Sequence, residues 1–213
     1  MREPADKKSD PHNIVRRGYD AVAQQYLEWS AGSDVREHWL QTLLGILPKS
    51  ARVLDLGCGA GVPAAKCLSE GGHHVVGVDN SPTQIALARQ HVPAGEFLVS
   101  DFSAVDFNDG GFDAIVAFYS ITHVRRELHE ELFRDILRWL APGGIFLASL
   151  GASNCAAWTG CWLGAEMFFS HFDAPTNLRM LKEAGFIVRR EEIIGEREHG
   201  EVAKFLWVLA ERP

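Results

Sequence analysis

Residues 52–61 read RVLDLGCGAG. Val53, Leu54 and Leu56 form a short apolar run, interrupted by Asp55, that ends in glycine at every second position: Gly57, Gly59, Gly61. An apolar run that stops abruptly in glycine predicts a buried strand entering a tight turn. Glycine there accepts positive φ and leaves the backbone bare for a ligand. The following VPAAKCLSEGG sets Ala64, Ala65 and Leu68 at helical spacing, with Gly71 and Gly72 as a stop. The predicted unit is strand, glycine turn, helix, with the helix N-terminus facing whatever lies over the turn.

A lone G-x-G-x-G fits several nucleotide-binding families, and residues 74–79, HVVGVD, narrow the choice. They read as a second buried strand ending in an acid. At this distance from the glycine turn, a β-α-β unit places a carboxylate beside a ribose, whose two hydroxyls can share it. The alternative for Asp79 is a cap on the helix that starts near Ser81-Pro82, although Asn80-Ser81-Pro82 already supplies caps.

With these motifs the chain resembles the class I S-adenosylmethionine-dependent methyltransferases. Asp55-Leu56-Gly57-Cys58-Gly59-Ala60-Gly61 looks like that family's first motif, and Val78-Asp79-Asn80-Ser81 like its second. Ser100-Asp101-Phe102 resembles its adenine-contacting acidic motif, residues 112–116 (FDAIV) its fourth strand, and residues 140–144 (LAPGG) the turn before its fifth. The resemblance runs over residues 14–210. It implies an α/β fold: a doubly wound, seven-stranded Rossmann-like sheet of order 3-2-1-4-5-7-6, strand seven antiparallel, under an N-terminal helical lid. It implies S-adenosyl-L-methionine as cofactor and S-adenosyl-L-homocysteine as product. The cofactor would rest on Asp55, Gly57, Cys58, Gly59, Gly61, Asp79, Asn80, Asp101, Phe102 and Tyr119, with Tyr19 and Tyr26 matching tyrosines of the lid. The two lid tyrosines are equally open to a reading as plain packing, and Asp101 to one as a turn residue.

Composition sets bounds on this. The 213 residues suit one domain with a substantial core. A 46% hydrophobic and 23% charged composition is that of an ordinary globular protein. A net charge of −7, with no basic cluster beyond paired arginines, disfavours a nucleic-acid partner. No apolar stretch is long enough to span a membrane. The polar opening MREPADKKSDPHN is not a secretory signal, so a cytoplasmic location is expected. Cys58, Cys67, Cys155 and Cys161 lack metal-ligand spacing, so no metal site and reduced thiols are expected.

In chain order, residues 1–12 read as a disordered tail and 13–213 as a single domain. Residues 13–48 form the helical lid, with Tyr19, Val22, Ala23, Tyr26 and Leu27 on one stripe and a second helix over 34–47. Helices are expected over 82–92, 126–140 and 175–184, and strands over 96–99, 112–118 and 145–150. Two antiparallel strands, 186–194 and 202–210, are joined by a charged turn at 195–200. Between the fifth strand and the next helix lies 151–172, GASNCAAWTGCWLGAEMFFSHF. Its aromatics, in what reads as a connecting segment, suggest a substrate-covering insert, with Trp158, Trp162, Met167 and Phe168 on the pocket. Cover for the sheet edge and a dimer contact are the competing readings. Monomer and homodimer both stay open.

Methyl transfer from a sulfonium is an in-line displacement, so the protein must align the reactants and accept a proton where the nucleophile carries one. His123, after the fourth strand, and His171, in the insert, are the candidate bases; packing is the alternative for His123, and His171 is read for catalysis or for a hydrogen bond to substrate. The expected function is methylation of oxygen or nitrogen on a small, aromatic or apolar molecule. Two other functions compete with it. One is a methyltransferase-fold enzyme carrying out a non-methylating cyclisation or isomerisation; the other is a protein- or tRNA-methylating enzyme.

Overall fold

The computed structural model describes residues 10–30, 32–198 and 201–213. Two helices come first, α1 (Pro11–Ser30) and α2 (Asp34–Leu44). Ile14, Val15, Val22 and Ala23 make the buried stripe of α1. The Ser33 side chain caps α2 by accepting from the Arg36 N–H. Strand and helix then alternate through β1 (Arg52–Leu56), α3 (Ala64–Glu70), β2 (His74–Asp79), α4 (Pro82–His91) and β3 (Glu96–Val99). β4 (Phe112–Phe118) leads through two 3-10 turns, Ile121–His123 and Arg126–Leu128, into α5 (His129–Trp139) and β5 (Leu140–Gly151). A hairpin of β6 (Cys155–Trp162) and β7 (Ala165–His171) follows, then α6 (Ala174–Ala184), β8 (Ile187–Glu198) and β9 (Glu201–Glu211).

Seven strands form one sheet in the order β3-β2-β1-β4-β5-β9-β8. This is the expected order, with β8 and β9 as the sixth and seventh strands. β1 to β5 run parallel, and β9 is antiparallel to both β5 and β8. Alternation along each strand sorts the core into two layers. Val53, Val116 and Trp207 pack with Trp39, Leu43, Leu68 and Ile85 on the α2–α3–α4 face. Leu54, Ile115 and Val208 pack with Phe133, Ile136 and Leu181 on the α5–α6 face. Burial on both faces is why the central strands read as unbroken apolar runs. The strand order reverses between β1 and β4, and open α/β sheets bind ligands outside the carboxyl ends at such a point.

Several boundaries differ from the sequence expectations. Pro11 and His12 belong to α1 rather than to a tail, and proline suits a first helical turn; residues 1–9 of that tail lie outside the described residues. α2 stops at Leu44, and the chain leaves it through a turn in which the Ile46 and Leu47 N–H groups both return to the Leu43 carbonyl. The helix expected from 126 opens with a 3-10 turn. β5 starts at Leu140, which pairs with Phe112 before the ladder resumes at Ala114 and Ile145; the Pro-Gly-Gly step is an excursion within the strand. The segment 151–172 is a regular antiparallel hairpin rather than a connection. Its turn residues Leu163 and Gly164 both have positive φ, the geometry that matches the twist of two paired strands. The turn expected over 195–200 is also shorter. Gly195, Glu196 and Arg197 pair with Lys204, Ala203 and Val202, making a two-stranded arm on which Arg197 and Lys204 are exposed and Glu196 is half-buried; residues 199 and 200 lie outside the described residues.

Candidate active site

A cavity of about 290 Å³ lies over the carboxyl ends of β1, β2 and β4, roofed by α1. Gly57 forms part of its floor. Its φ is +75°, and a Cβ there would stand 2.3 Å from the Ser120 Cβ, so only glycine fits between the two strand ends. Ser120 is pinned in turn by its hydroxyl, which donates to the Leu56 carbonyl at 2.6 Å. Asp79 braces the turn from the side: Oδ2 accepts from the Gly59 N–H and Oδ1 from the Ser81 N–H, each at 2.9 Å. Gly57, Gly59, Asp79 and Asn80 all line the cavity. Gly61 does not; a Cβ there would touch Ala88 and Val92, so this glycine sets the turn against α4. Cys58 is buried with its Sγ beside Gly77 of β2, and it lines an adjoining recess rather than this cavity.

At one end the cavity adjoins a recess of about 30 Å³ that shares Tyr26, Gly57, Gly59 and Phe118 with it and adds Asp55 and Arg36. Asp55 lies on the same sheet face as Val53. Both charged residues are buried, at 2% and 6% exposure. Arg36 Nη2 donates to the Tyr26 hydroxyl at 3.1 Å, and the guanidinium lies 4.4 Å from the Tyr119 ring centroid. Yet Arg36 Nε and Asp55 Oδ2 have no hydrogen-bond partner among the described residues. Burial, reinforced by the charge of Asp79 and opposed by Arg36, lifts the Asp55 carboxyl to about 7. A buried cation and a buried anion, each with an unpaired atom at one recess, fit a zwitterion such as an α-amino acid group. Arg36 was missed at the sequence level because it reads there as one charged residue of an amphipathic helix.

The opposite end is walled by Asp101, Phe102 and Ser103 from the loop after β3 and by His12 from the lid. His12 Nδ1 lies 3.0 Å from Asp101 Oδ2, and Asp101 Oδ1 accepts from the Ser103 N–H and hydroxyl. Phe102 supplies an aromatic wall, and Asp101 an acceptor for an amine. Glycine turn, ribose-height carboxylate, acidic end and zwitterion recess together present the donors and acceptors that S-adenosylmethionine requires.

Between the two ends the wall is aromatic. Tyr119 follows β4 in a left-handed conformation (φ 58°), an uncommon backbone for a bulky residue, and its hydroxyl donates to Glu196 of the β8–β9 arm. The Tyr19 and Tyr26 rings meet edge-on at 5.2 Å. His123 Nδ1 lies 2.7 Å from the Phe168 carbonyl, which only accepts, so Nδ1 carries the proton. Nε2 then accepts from the Tyr19 hydroxyl at 2.9 Å. Burial holds the His123 imidazole down to about 4, so it is neutral at pH 7.

The insert sits differently from its sequence reading. Met167 is fully buried beneath Gly18 of α1, and Phe168 packs with Ile14 and Val15. Trp162 is packed among Tyr19, Tyr26, Trp29 and Phe169, while Trp158 lies over Gly160 and is 44% exposed. His171 Nδ1 donates to the Ser153 carbonyl, away from the cavity. None of these five lines the cavity, because the hairpin is spent on carrying the lid. Its one polar contribution to the site is the Phe168 carbonyl that orients His123.

Residues 53–144 match the family model described as a methyltransferase domain. Sterol 24-C-methyltransferase of Yarrowia lipolytica is 34% identical over 116 residues, covering 52% of this chain and 30% of that protein. The chain thus spans about a third of the length of the sterol methyltransferases of this kind. Among solved structures, the 1,6-didemethyltoxoflavin-N1-methyltransferase of Burkholderia thailandensis, with S-adenosylhomocysteine bound, superimposes with a TM-score of 0.72 at 19% identity, covering 99% of this chain and 92% of that one. The [4+2]-cyclase SpnF gives 0.71 at 19% identity over 95% and 97% of the two chains. At such identities the superpositions establish the fold. Motifs, fold and family model agree over residues 53–144, the part of the chain that carries a methyltransferase domain of the class I, S-adenosylmethionine-dependent kind.

Proposed function

We propose that this protein transfers a methyl group from S-adenosylmethionine to oxygen or nitrogen of a small, aromatic or apolar molecule. The observation that carries the reading is the paired Asp55 and Arg36 recess beside the glycine turn, which a dinucleotide without an amino acid group would leave unsatisfied. When bound, the cofactor supplies an electrophilic methyl on a sulfonium. Asp55 and Arg36 hold its ammonium and carboxylate, Asp79 the ribose, and Asp101 with Phe102 the adenine.

An acceptor lies against Tyr19, Tyr26, Phe118 and Tyr119, an apolar and ring-lined wall. Methylation makes the acceptor's own proton far more acidic, so a weak base suffices to remove it. That proton passes to the Tyr19 oxygen as the Tyr19 proton passes to His123 Nε2, while the Phe168 carbonyl keeps the ring aligned. His123 therefore acts through Tyr19.

The test is calorimetry with S-adenosylhomocysteine, followed by mass spectrometry of reactions with a panel of hydroxylated and aminated aromatics. Asp79→Ala is expected to weaken cofactor binding at least about tenfold, since it removes the ribose acceptor and the brace on Gly59. A methylated product with release of S-adenosylhomocysteine supports the reading. An isomeric product with the cofactor left intact overturns it.

A further inference from the structure

His12 has no role in the account above, yet it closes the adenine end of the cavity from the lid side. Its Nδ1 meets Asp101 Oδ2 at 3.0 Å, and its backbone carbonyl accepts from Asn80 Nδ2 at 3.4 Å. One residue in the first turn of α1 thus bridges the loops after β2 and β3, the ribose and adenine walls. We propose that His12 is a positioning residue for the adenosine half of the cofactor, orienting Asp101 as an acceptor and tying closure of the lid to occupation of the adenine end. The inference rests on the cofactor assignment made above.

The chemistry of the amine demands such a residue. An exocyclic amine only donates, and an ionised carboxylate offers it acceptors on both oxygens, whereas a protonated carboxyl turns one oxygen into a donor. Of about four lone-pair directions on Asp101, Ser103 takes two on Oδ1 and His12 one on Oδ2, which leaves one on Oδ2 for the amine. Without His12, Oδ2 has no hydrogen-bond partner among the described residues to fix its direction, and the first turn of α1 loses its contact with the adenine wall.

Among the described residues, Asp10 faces His12 from just before α1 and Arg16 from its own helix, Asp101 faces it from the loop after β3, and Asp79 and Arg125 line the same cavity. The hydrogen bond to Asp101 raises the imidazole above its ordinary value, against burial and Arg16 and with help from Asp10. Burial works to raise Asp101, but the bonds from His12 and Ser103 outweigh it and hold the carboxyl below its usual range. The charge-assisted pair is therefore intact between the lowered Asp101 value and the raised His12 value, and it weakens above the latter to a neutral hydrogen bond. Both side chains are about a third exposed, so solvent keeps the effect moderate.

The experiment is calorimetry on the full chain with two probes, S-adenosylhomocysteine and 5′-methylthioadenosine, the second lacking the amino acid group. His12→Ala is expected to weaken both by about five- to tenfold, whereas Asp55→Asn weakens only the first. His12→Asn, which keeps an N–H donor near the Nδ1 position, is expected to restore most of the affinity at pH 7. Wild-type affinity for 5′-methylthioadenosine, which carries no group for Asp55, falls several-fold from pH 7 to pH 8.5, and the Asn variant lacks the part of that fall due to His12. NMR titration of His12 in the ligand-free protein reports its raised value, which returns to the ordinary range in Asp101→Asn. If folded His12→Ala binds both probes like wild type, the positioning role is wrong and the cofactor assignment stands. If wild type binds neither probe, both are wrong.

Discussion

Asp55 and Asp79 share the floor beneath the glycine turn. Burial lifts the first to about 7 and the second to about 6, the backbone donors of Ser81 and Gly59 partly offsetting the rise in Asp79. The sign of the pH dependence follows. An unfolded chain releases these protons near an ordinary carboxylate value of about 3.9, whereas the folded chain keeps them to higher pH. Ligand-free stability therefore falls as pH climbs from that value towards 7. A zwitterionic ligand that needs ionised Asp55 reverses the trend, binding more tightly as pH passes through about 7. Calorimetry with S-adenosylhomocysteine is expected to show affinity about tenfold lower at pH 6 than at pH 8, as one pH unit below the pKa requires. Asp55→Asn removes the inflection near 7 and lowers affinity at pH 8. At this scale legibility follows chain distance. Asp55, Gly57, Asp79 and Asp101 stand at strand ends, where the alternation of apolar run and break marks them. Arg36 and His12 gain their roles only when a helix lies across the sheet edge, and nothing local to either residue announces that contact.

The lid and its hairpin behave as a unit at the scale of elements. α1 meets β7 across Gly18, where a Cβ would stand 2.7 Å from the Glu166 carbonyl oxygen and 2.8 Å from Met167 Cε. Backbone cannot give way as a side-chain tip can, so a larger residue forces the two elements apart. Gly18→Val is expected to cost about 1–3 kcal/mol by overpacking and to loosen α1 selectively. The measurement is amide exchange. Faster exchange in α1 and β7, with β1 and β4 unchanged, fits the account, whereas uniform acceleration sinks it. Displacing α1 also moves Tyr19 off His123, so activity falls further than stability does. The strands and helices of the sheet were readable because period and breakers agree there. The hairpin was not, because its alternation is masked: Phe168 and Phe169 are adjacent apolar residues serving opposite faces, and Trp158 is apolar yet exposed. A turn at Leu163-Gly164 was the available signal, carried by one glycine rather than the usual pair.

At the scale of the whole molecule, the two layers are held by a sheet in which β9 runs against both its neighbours, and Arg212, just past β9, fastens it. The Arg212 N–H donates to the Gly144 carbonyl, and the Gly143 N–H to the Arg212 carbonyl, extending the β5–β9 ladder around the Pro-Gly-Gly excursion. The Arg212 guanidinium then reaches the carbonyls of Leu137 and Arg138 in the last turn of α5, the second of which also accepts from the Gly110 N–H, and the carbonyl of Leu140 at the start of β5. One side chain thus satisfies the end of α5, spans the entry to β5 and ties both to β9, joining elements far apart in sequence. The strand order followed from parallel apolar runs and the turn-linked final pair, but this clasp depends on a register that only the assembled sheet sets. Arg212→Ala is expected to lose about 1–2 kcal/mol, net of solvation of the freed carbonyls, because charge-assisted bonds to buried acceptors are replaced by water. In a domain of this size that lowers Tm by about 3–6 °C. Arg212→Lys should recover only part, since a single ammonium cannot fork across several carbonyls. The site lies at the opposite edge of β5, so affinity for S-adenosylhomocysteine at 20 °C should stay within about twofold of wild type. A variant with unchanged Tm would show that water serves the α5 terminus as well as arginine does. A variant with lost affinity would show that the β9 edge governs the position of Tyr119 through the Glu196 arm.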